Sequence, residues 1–138
     1  MIVGGIAVIA RGVPRLTVDI DATVWGEELS LPRLFSVLEA HDIEPRSSEH
    51  REHAQQQGVL LLRHRPTETP MEIFLAWLPF EREAIARATP VQFGDTEILT
   101  AQPADLIVYK FVAWRERDKD DIDKLLLLHG ETIDLAGR

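Results

Sequence analysis

The sequence predicts an α+β fold, in which a small mixed β-sheet is flanked by helices within one domain spanning residues 1–138. Two observations lead to this prediction. Short runs of alternating apolar and polar residues indicate strands, and they are interleaved with longer segments whose apolar spacing indicates helices. The chain is long enough for one hydrophobic core and too short for two.

The first half of the chain opens with the tail of a very short strand, Met1–Val3, which a pair of glycines follows. Ser30 is an N-cap candidate, because a serine side chain can accept a hydrogen bond from the first turn of a helix, here one that runs to about Ala40. The other predicted elements are a short helix Ile6–Arg11, a strand Leu16–Trp25, a loop His41–Ser48 and a short polar helix Glu49–Gln57.

The second half predicts two pairs of strands, each closed by a turn, and then two helices. Gly94 and Asp95 favour a tight hairpin turn. The predicted elements are the strands Val59–Arg65 and Met71–Trp77, a helix Phe80–Ala88 opened by Pro79, the strands Val91–Phe93 and Glu97–Thr100, a helix Ala104–Trp114, a charged hinge Arg115–Lys119, and a helix Asp120–His129 that Gly130 ends.

Composition narrows the class of protein. The chain has 15 basic and 23 acidic residues, a net charge of −8, which argues against a sequence-independent nucleic-acid binder because such proteins are usually basic. The chain contains no cysteine, which excludes disulfides and thiolate metal sites. No apolar run approaches the roughly 18 residues that a membrane span needs, so we expect a cytoplasmic protein without a membrane partner.

A glycine pair and two aspartates near the start of the chain suggest a site. Asp19 and Asp21 lie two residues apart on a predicted strand, so they share a face and can hold Mg²⁺. Gly4 and Gly5 precede a helix start, where free backbone N–H groups can hold a phosphate. The alternative for the aspartates is a solvent-facing strand, which produces the same spacing by chance.

A third carboxylate belongs to the strand Met71–Trp77, in which Glu72 is the only acidic residue. If this strand lies beside the one that carries the two aspartates, Glu72 completes a site with three carboxylates. Such a residue can also act as general base on an attacking hydroxyl. The alternative is an exposed strand residue.

Charged residues on the last two predicted helices are further candidates. Lys110 lies in an otherwise apolar helix, where it can neutralise triphosphate charge or extend from the helix border to solvent. Asp118 and Asp121 are three residues apart on one helix face. They can hold Lys110, or the base and ribose of a nucleotide. The alternative for both aspartates is a capping and salt-bridge cluster.

These residues together resemble the nucleotidyltransferase (polymerase β-like) superfamily, and in particular the AbiEii/AbiGii-type toxin nucleotidyltransferases. The likeness begins with Gly4 and Gly5, followed by Arg15-x-Thr17-x-Asp19-Ile20-Asp21. Later segments agree in order with the family's further motifs: Met71–Leu75, Leu78–Glu81, Ala104–Lys110 and Arg117–Ile122.

The resemblance implies Mg²⁺-dependent transfer of a nucleoside monophosphate from an NTP to a hydroxyl of tRNA or protein, with release of pyrophosphate. It also implies the setting of a toxin–antitoxin pair, with an antitoxin protein as partner. The implied catalytic and metal-binding carboxylates are Asp19, Asp21 and Glu72. The implied nucleotide-binding residues are Gly4, Gly5, Arg15, Thr17, Lys110, Asp118 and Asp121.

Three departures from the family pattern suggest alternatives. Glu72 replaces an aspartate, the first strand is so short that the fold is expected to be truncated at the N-terminus, and the helical part is expected to be cut short after Gly130. One alternative is a catalytically degenerate nucleotidyltransferase-like domain that binds a nucleotide or a partner. Another is an interaction module that forms a homodimer through an exposed edge strand.

Overall fold

The computed structural model describes residues 1–133, apart from the side chains of His50, Arg51, His53 and Gln55. The strands are β1 Ile2–Val3, β2 Ile20–Trp25, β3 Ile43–Pro45, β4 Val59–His64, β5 Thr69–Ala76, β6 Thr89–Phe93 and β7 Thr96–Thr100. The helices are α1 Gly4–Ala10, α2 Leu31–Ala40, α3 His50–Gln57, α4 Pro79–Arg87, α5 Pro103–Ala113 and α6 Glu116–His129. The expectation that the chain is cut short after Gly130 falls mainly on residues 134–138, which lie outside the described residues.

The described residues form one mixed sheet of seven strands in the order β3-β4-β5-β2-β1-β7-β6. The strands β2 and β5 are parallel, as are β1 and β7, and the other neighbours are antiparallel. The prediction of a chain that mixes helices with a mixed sheet is confirmed. The sheet is larger than the small one expected, because β3, which was predicted as part of a loop, joins it.

The predicted strand Leu16–Trp25 is wrong in its first part, since ladder pairing begins only at Ile20. The neighbour β1 has two residues, and Ile2 already pairs with Ala22. No described strand therefore lies beside residues 16–19. Leu16 and Val18 are 94% and 78% exposed, whereas Arg15, Thr17 and Asp19 are half-buried.

The predicted loop His41–Ser48 contains the edge strand β3, which pairs with β4 through Ile43 and His64. Pro45 hid this strand in the sequence, because proline cannot donate to a ladder and reads as a strand breaker. At the edge of a sheet a proline is tolerated, since its missing N–H can face away from the neighbouring strand.

The predicted charged hinge Arg115–Lys119 is mostly the first turn of α6, which begins at Glu116. The break between α5 and α6 is at Trp114, which has a left-handed backbone with φ 49°. Asp118 caps α6 from inside the helix, since its Oδ2 accepts the backbone N–H of Arg115 at 2.9 Å. The N-cap position belongs to Arg115, so Asp118 is not the N-cap residue, and it caps the helix from the third helical position instead.

Two apolar clusters hold the layers together. One joins β1, α1, α5 and α6 through Val3, Ala7, Val8, Val13, Ala101, Leu106 and Leu125. The other joins α2 and α3 to the strands β4 and β5 through Leu38, Ala54, Leu60, Leu62 and Ile73. The strand β2 runs between these two clusters, and this position puts its polar residues between the two halves of the fold. Among the described helices, none combines the length and apolar character of a membrane span.

Candidate active site

The carboxylates of β2 and β5 lie side by side. Asp21 is the Cα partner of Glu72 in the parallel pair of these strands. Residues that are paired in this way point to the same face of the sheet. The condition on which the role of Glu72 depended, that its strand lies beside β2, is therefore met. Asp19 lies just before β2, and its negative charge acts on Asp21.

The charge around Asp21 is not balanced. Burial raises the pKa of this carboxyl, and the negative charges of Glu72 and Asp19 raise it further. Arg117 and Arg115 act in the opposite direction but do not cancel the rise. A carboxylate with a raised pKa beside two others is a place where a cation or a proton binds favourably.

The two glycines pack against the residues that precede and open β2. Gly4 has a left-handed backbone with φ 68°, and a Cβ at this position would overlap the carboxylate of Asp21. A Cβ at Gly5 would lie 2.7 Å from Oγ1 of Thr17. The glycines therefore let α1 begin in direct contact with the strand. This packing requirement explains the pair whether or not its N–H groups also hold a phosphate.

A polar pocket forms where these elements meet. The walls combine the glycine pair, the face of the chain that leads into β2, and basic residues of α5 and α6. The lining residues are Gly4, Gly5, Arg15, Thr17, Asp19, Asp21, Lys110, Arg115 and Arg117. The fold thus gathers most of the residues predicted from the sequence into one place.

Lys110 is held by the two aspartates of α6. Its Nζ lies 2.8 Å from Oδ2 of Asp121 and 3.4 Å from Oδ1 of Asp118. All three side chains are buried. Arg15 forms an ion pair with Asp121, and Arg115 forms one with Asp118 at 2.8 Å. Of the alternatives open for the two aspartates, the structure has the salt-bridge cluster around Lys110.

The electrostatics of this cluster are the reverse of those at Asp21. Burial on its own would raise the pKa of Asp118. The hydrogen bonds from the side chain and backbone N–H of Arg115, with the charge of Lys110, instead lower it to about 2. Asp118 is consequently ionised at neutral pH and fully engaged by the chain's own donors.

Glu72 faces Asp21 but does not line the polar pocket, and it forms an ion pair with Arg46 at 3.5 Å. Asp118 and Asp121 do not line the polar pocket either. Among the side chains that the structure describes, no three of histidine, aspartate or glutamate are grouped closely enough to hold a metal ion by themselves.

Three residues of the site were missed in the sequence. Arg115 and Arg117 line the polar pocket and are exposed, but in the sequence they belong to a dense charge run typical of a solvated helix face. The available signal was that the two arginines flank Glu116 just before Asp118, a candidate residue of the site. Tyr109 lines a neighbouring cavity, and no pattern in the sequence indicates this, because the cavity is built from distant elements.

No protein-family model matches the chain, and no curated protein is significantly similar to it. Function is therefore inferred from the chemistry of the site. That site offers crowded carboxylates, arginines beside them and a tightly packed glycine pair. This combination is suited to binding a cation and a polyanion together.

Proposed function

We propose that this chain is a Mg²⁺-dependent nucleotidyltransferase, which moves a nucleoside monophosphate from an NTP to a hydroxyl of tRNA or protein. The observation that carries the proposal is the pairing of Asp21 with Glu72, next to Asp19, with a raised pKa at Asp21. Crowding of like charges on a rigid sheet opposes folding, so its presence calls for a compensating ligand.

The donor set of this site suits Mg²⁺. Mg²⁺ prefers carboxylate oxygens and is commonly held by one or two carboxylates together with substrate phosphates. Asp19 and Asp21 would be the protein ligands, with Glu72 nearest to them as the third carboxylate. When bound, the ion would neutralise phosphate charge and orient the NTP for attack.

The basic residues of the polar pocket would bind the triphosphate. Arg115 and Arg117 are exposed, and both act electrostatically on Asp21. Arg15 and Lys110 line the same pocket but are bonded to Asp121. Arg115 is bonded to Asp118 in the same way. We therefore assign the direct phosphate contact chiefly to Arg117, and to Arg15, Lys110 and Arg115 the role of positive charges fixed at the wall.

Glu72 would take the proton of the acceptor hydroxyl as general base. Its carboxylate is about one-third exposed, so an acceptor can approach it from solvent. The ion pair with Arg46 holds the Glu72 side chain in this partly exposed position. The NTP, the tRNA or protein acceptor, an antitoxin partner and a cytoplasmic location stay predictions that derive from the resemblance and the composition.

The second candidate is a catalytically degenerate domain that binds a nucleotide or a partner without transfer. Two observations favour it. Glu72 already forms an ion pair with Arg46, and Lys110 already forms ion pairs with Asp118 and Asp121. When the charged groups of a site already pair with one another, they do not require a substrate to balance their charge. The homodimer, with β3 and β6 as the sheet edges, is a further prediction that sizing chromatography tests.

Incorporation of labelled NTPs into total tRNA and total protein tests the enzyme against the binder. We expect Mg²⁺-dependent incorporation by the wild type and a loss of about 100-fold or more in Asp21→Asn, because a metal ligand is removed. The matched control is Asp123→Asn, an exposed residue of α6, which is expected to keep full activity. No incorporation with any of the four NTPs would contradict the enzyme proposal, and NTP binding without incorporation would favour the degenerate domain.

A further inference from the structure

A cavity of about 280 Å³ adjoins the polar pocket. The two share Gly4, Asp21, Lys110 and Arg115 in their walls. Beyond these, the lining is mainly apolar and comes from β1, β5 and α5, through Val3, Phe74, Leu106 and Ala113. We call it the apolar cavity. Phe74 and Ala113 are exposed to solvent, so the cavity opens to the surface at that side.

Tyr109 brings a polar group into the apolar cavity. Its hydroxyl is buried and has no hydrogen-bond partner among the described residues. Thr23, which lies nearby, acts on the pKa of Tyr109 without reaching hydrogen-bond geometry. Burial and the charges of Glu81 and Asp105 raise that pKa to about 12, so the hydroxyl keeps its proton at neutral pH. An unpartnered buried hydroxyl is unfavourable, and a ligand that bonds to it removes the penalty.

Two acidic groups in the wall, Glu81 and Asp118, already have roles in the fold. One oxygen of Glu81, Oε2, accepts the backbone N–H groups of Trp77 and Leu78 at 3.1 Å and so caps α4. Asp118 is bonded to Arg115 and Lys110. The hydroxyl of Tyr109 is thus an uncharged polar group of this wall that a ligand can engage without breaking a bond of the fold.

The two adjoining spaces match the two chemical parts of a nucleotide. The polar pocket offers cations and carboxylates for a metal-bound phosphate chain. The apolar cavity offers aromatic and aliphatic surface with one hydrogen-bonding hydroxyl, which is how proteins bind flat heteroaromatic rings. We infer that the apolar cavity receives the base of the NTP, with Tyr109 hydrogen-bonding to its edge and setting part of the preference among bases. This inference rests on the proposed function.

Binding measurements on two variants test the inference. Tyr109→Phe removes only the hydroxyl, and Ala113→Leu narrows the open side of the cavity. Val112→Leu is the matched control, because Val112 is 82% exposed on the same helix and does not line the cavity. Each protein is titrated, in the presence of Mg²⁺, with the four NTPs, the four nucleosides and inorganic tripolyphosphate, which has no base.

We expect at least one NTP to bind the wild type more tightly than tripolyphosphate does. Tyr109→Phe should weaken that NTP and its nucleoside by about 3- to 10-fold, the loss expected for one uncharged hydrogen bond. Ala113→Leu should weaken both at least as much, and tripolyphosphate should bind all four proteins alike. The unfolding temperature of Tyr109→Phe should be equal to or above that of the wild type, so lost binding would not reflect unfolding.

The outcomes separate this inference from the proposed function. If the NTP binds but neither variant weakens it, the cavity only holds water, and the inference is overturned while the transferase proposal stands. If the variants raise the KM for the acceptor and leave NTP binding unchanged, the cavity belongs to the acceptor and the inference is again overturned. If NTP and nucleoside binding depend on Tyr109 but no transfer occurs, the inference stands and the enzyme proposal fails. If no NTP, nucleoside or tripolyphosphate binds, both are overturned.

Discussion

Asp21 and Asp118 contribute to neighbouring walls of one site, yet their environments differ in sign. Asp21 lies beside Asp19 and Glu72, and burial with these like charges raises its pKa. Asp118 accepts hydrogen bonds from Arg115 and lies beside Lys110, and its pKa falls to about 2. Among the described residues Asp21 forms no salt bridge, although Arg115 and Arg117 act on it through their charge, whereas Asp118 forms salt bridges with Lys110 and Arg115. The comparison indicates that Asp21 is arranged for a ligand and that Asp118 holds the fold around it.

The largest effect on the free energy of unfolding is expected from substitution of Asp118, the aspartate that forms salt bridges. Asp118→Ala removes the cap of α6 and leaves Lys110 buried with one carboxylate fewer, and breaking a buried ion pair in this way costs about 3–5 kcal/mol. We expect a fall of that size in the free energy of unfolding, measured by urea denaturation. The control is Asp120→Ala, an exposed residue paired with Lys124 on the surface, where a change below about 1 kcal/mol is expected. Equal losses in the two variants would contradict the compensated role of Asp118.

Acid unfolding gives the next largest effect. Because the pKa of Asp118 is lower in the folded state, its contribution is present above its unfolded pKa, about 3.9, and is lost as the pH falls from there towards about 2. That contribution is about 2 kcal/mol. We expect urea denaturation between pH 5 and pH 2 to follow this loss in the wild type. In Asp118→Asn the pH profile should be flatter in the same range, and an unchanged slope would contradict the assignment.

Asp21→Asn should have the smallest effect on stability and the opposite sign. The substitution removes one charge from a cluster of like charges, so the free energy of unfolding at pH 7 should rise by about 0.2–1 kcal/mol. The pKa of Asp21 is raised on folding, so its contribution in the wild type is present at low pH and lost as the pH rises through the folded pKa. The advantage of the variant should therefore shrink in acid. A loss of stability at pH 7, relative to the Asp123→Asn control, would mean that Asp21 already has a compensating partner.

Alternation along the chain was sufficient to predict part of the site. Alternation predicted the strand that carries Asp21, and the lone acidic residue of a second strand identified Glu72. Both were available because strand periodicity is a local property. Asp19 was assigned to the same strand, but it precedes β2. The adjacency of β2 and β5 was only a condition in the sequence, because parallel strands that are distant in the chain carry no local signal for their pairing.

The rest of the site depends on tertiary contacts. Whether Lys110 reaches a phosphate or two aspartates is decided by the packing of α5 against α6, and the charge run before Asp120 hid the true start of α6. Pro45 hid β3 for a similar reason, since the tolerance of proline depends on which strand lies at the edge. The cavity at Tyr109 combines residues from seven elements, and no window of sequence contains them.

Calorimetry of NTP binding with and without Mg²⁺ tests the central claim. That claim is that Asp21, unlike Asp118, has no salt bridge among the described residues and binds a ligand. We expect the wild type to bind an NTP only when Mg²⁺ is present, and Asp21→Asn to bind it at least 10-fold more weakly, while Asp123→Asn binds as the wild type does. Equal affinity in wild type and Asp21→Asn, or binding that is independent of Mg²⁺, would contradict the account.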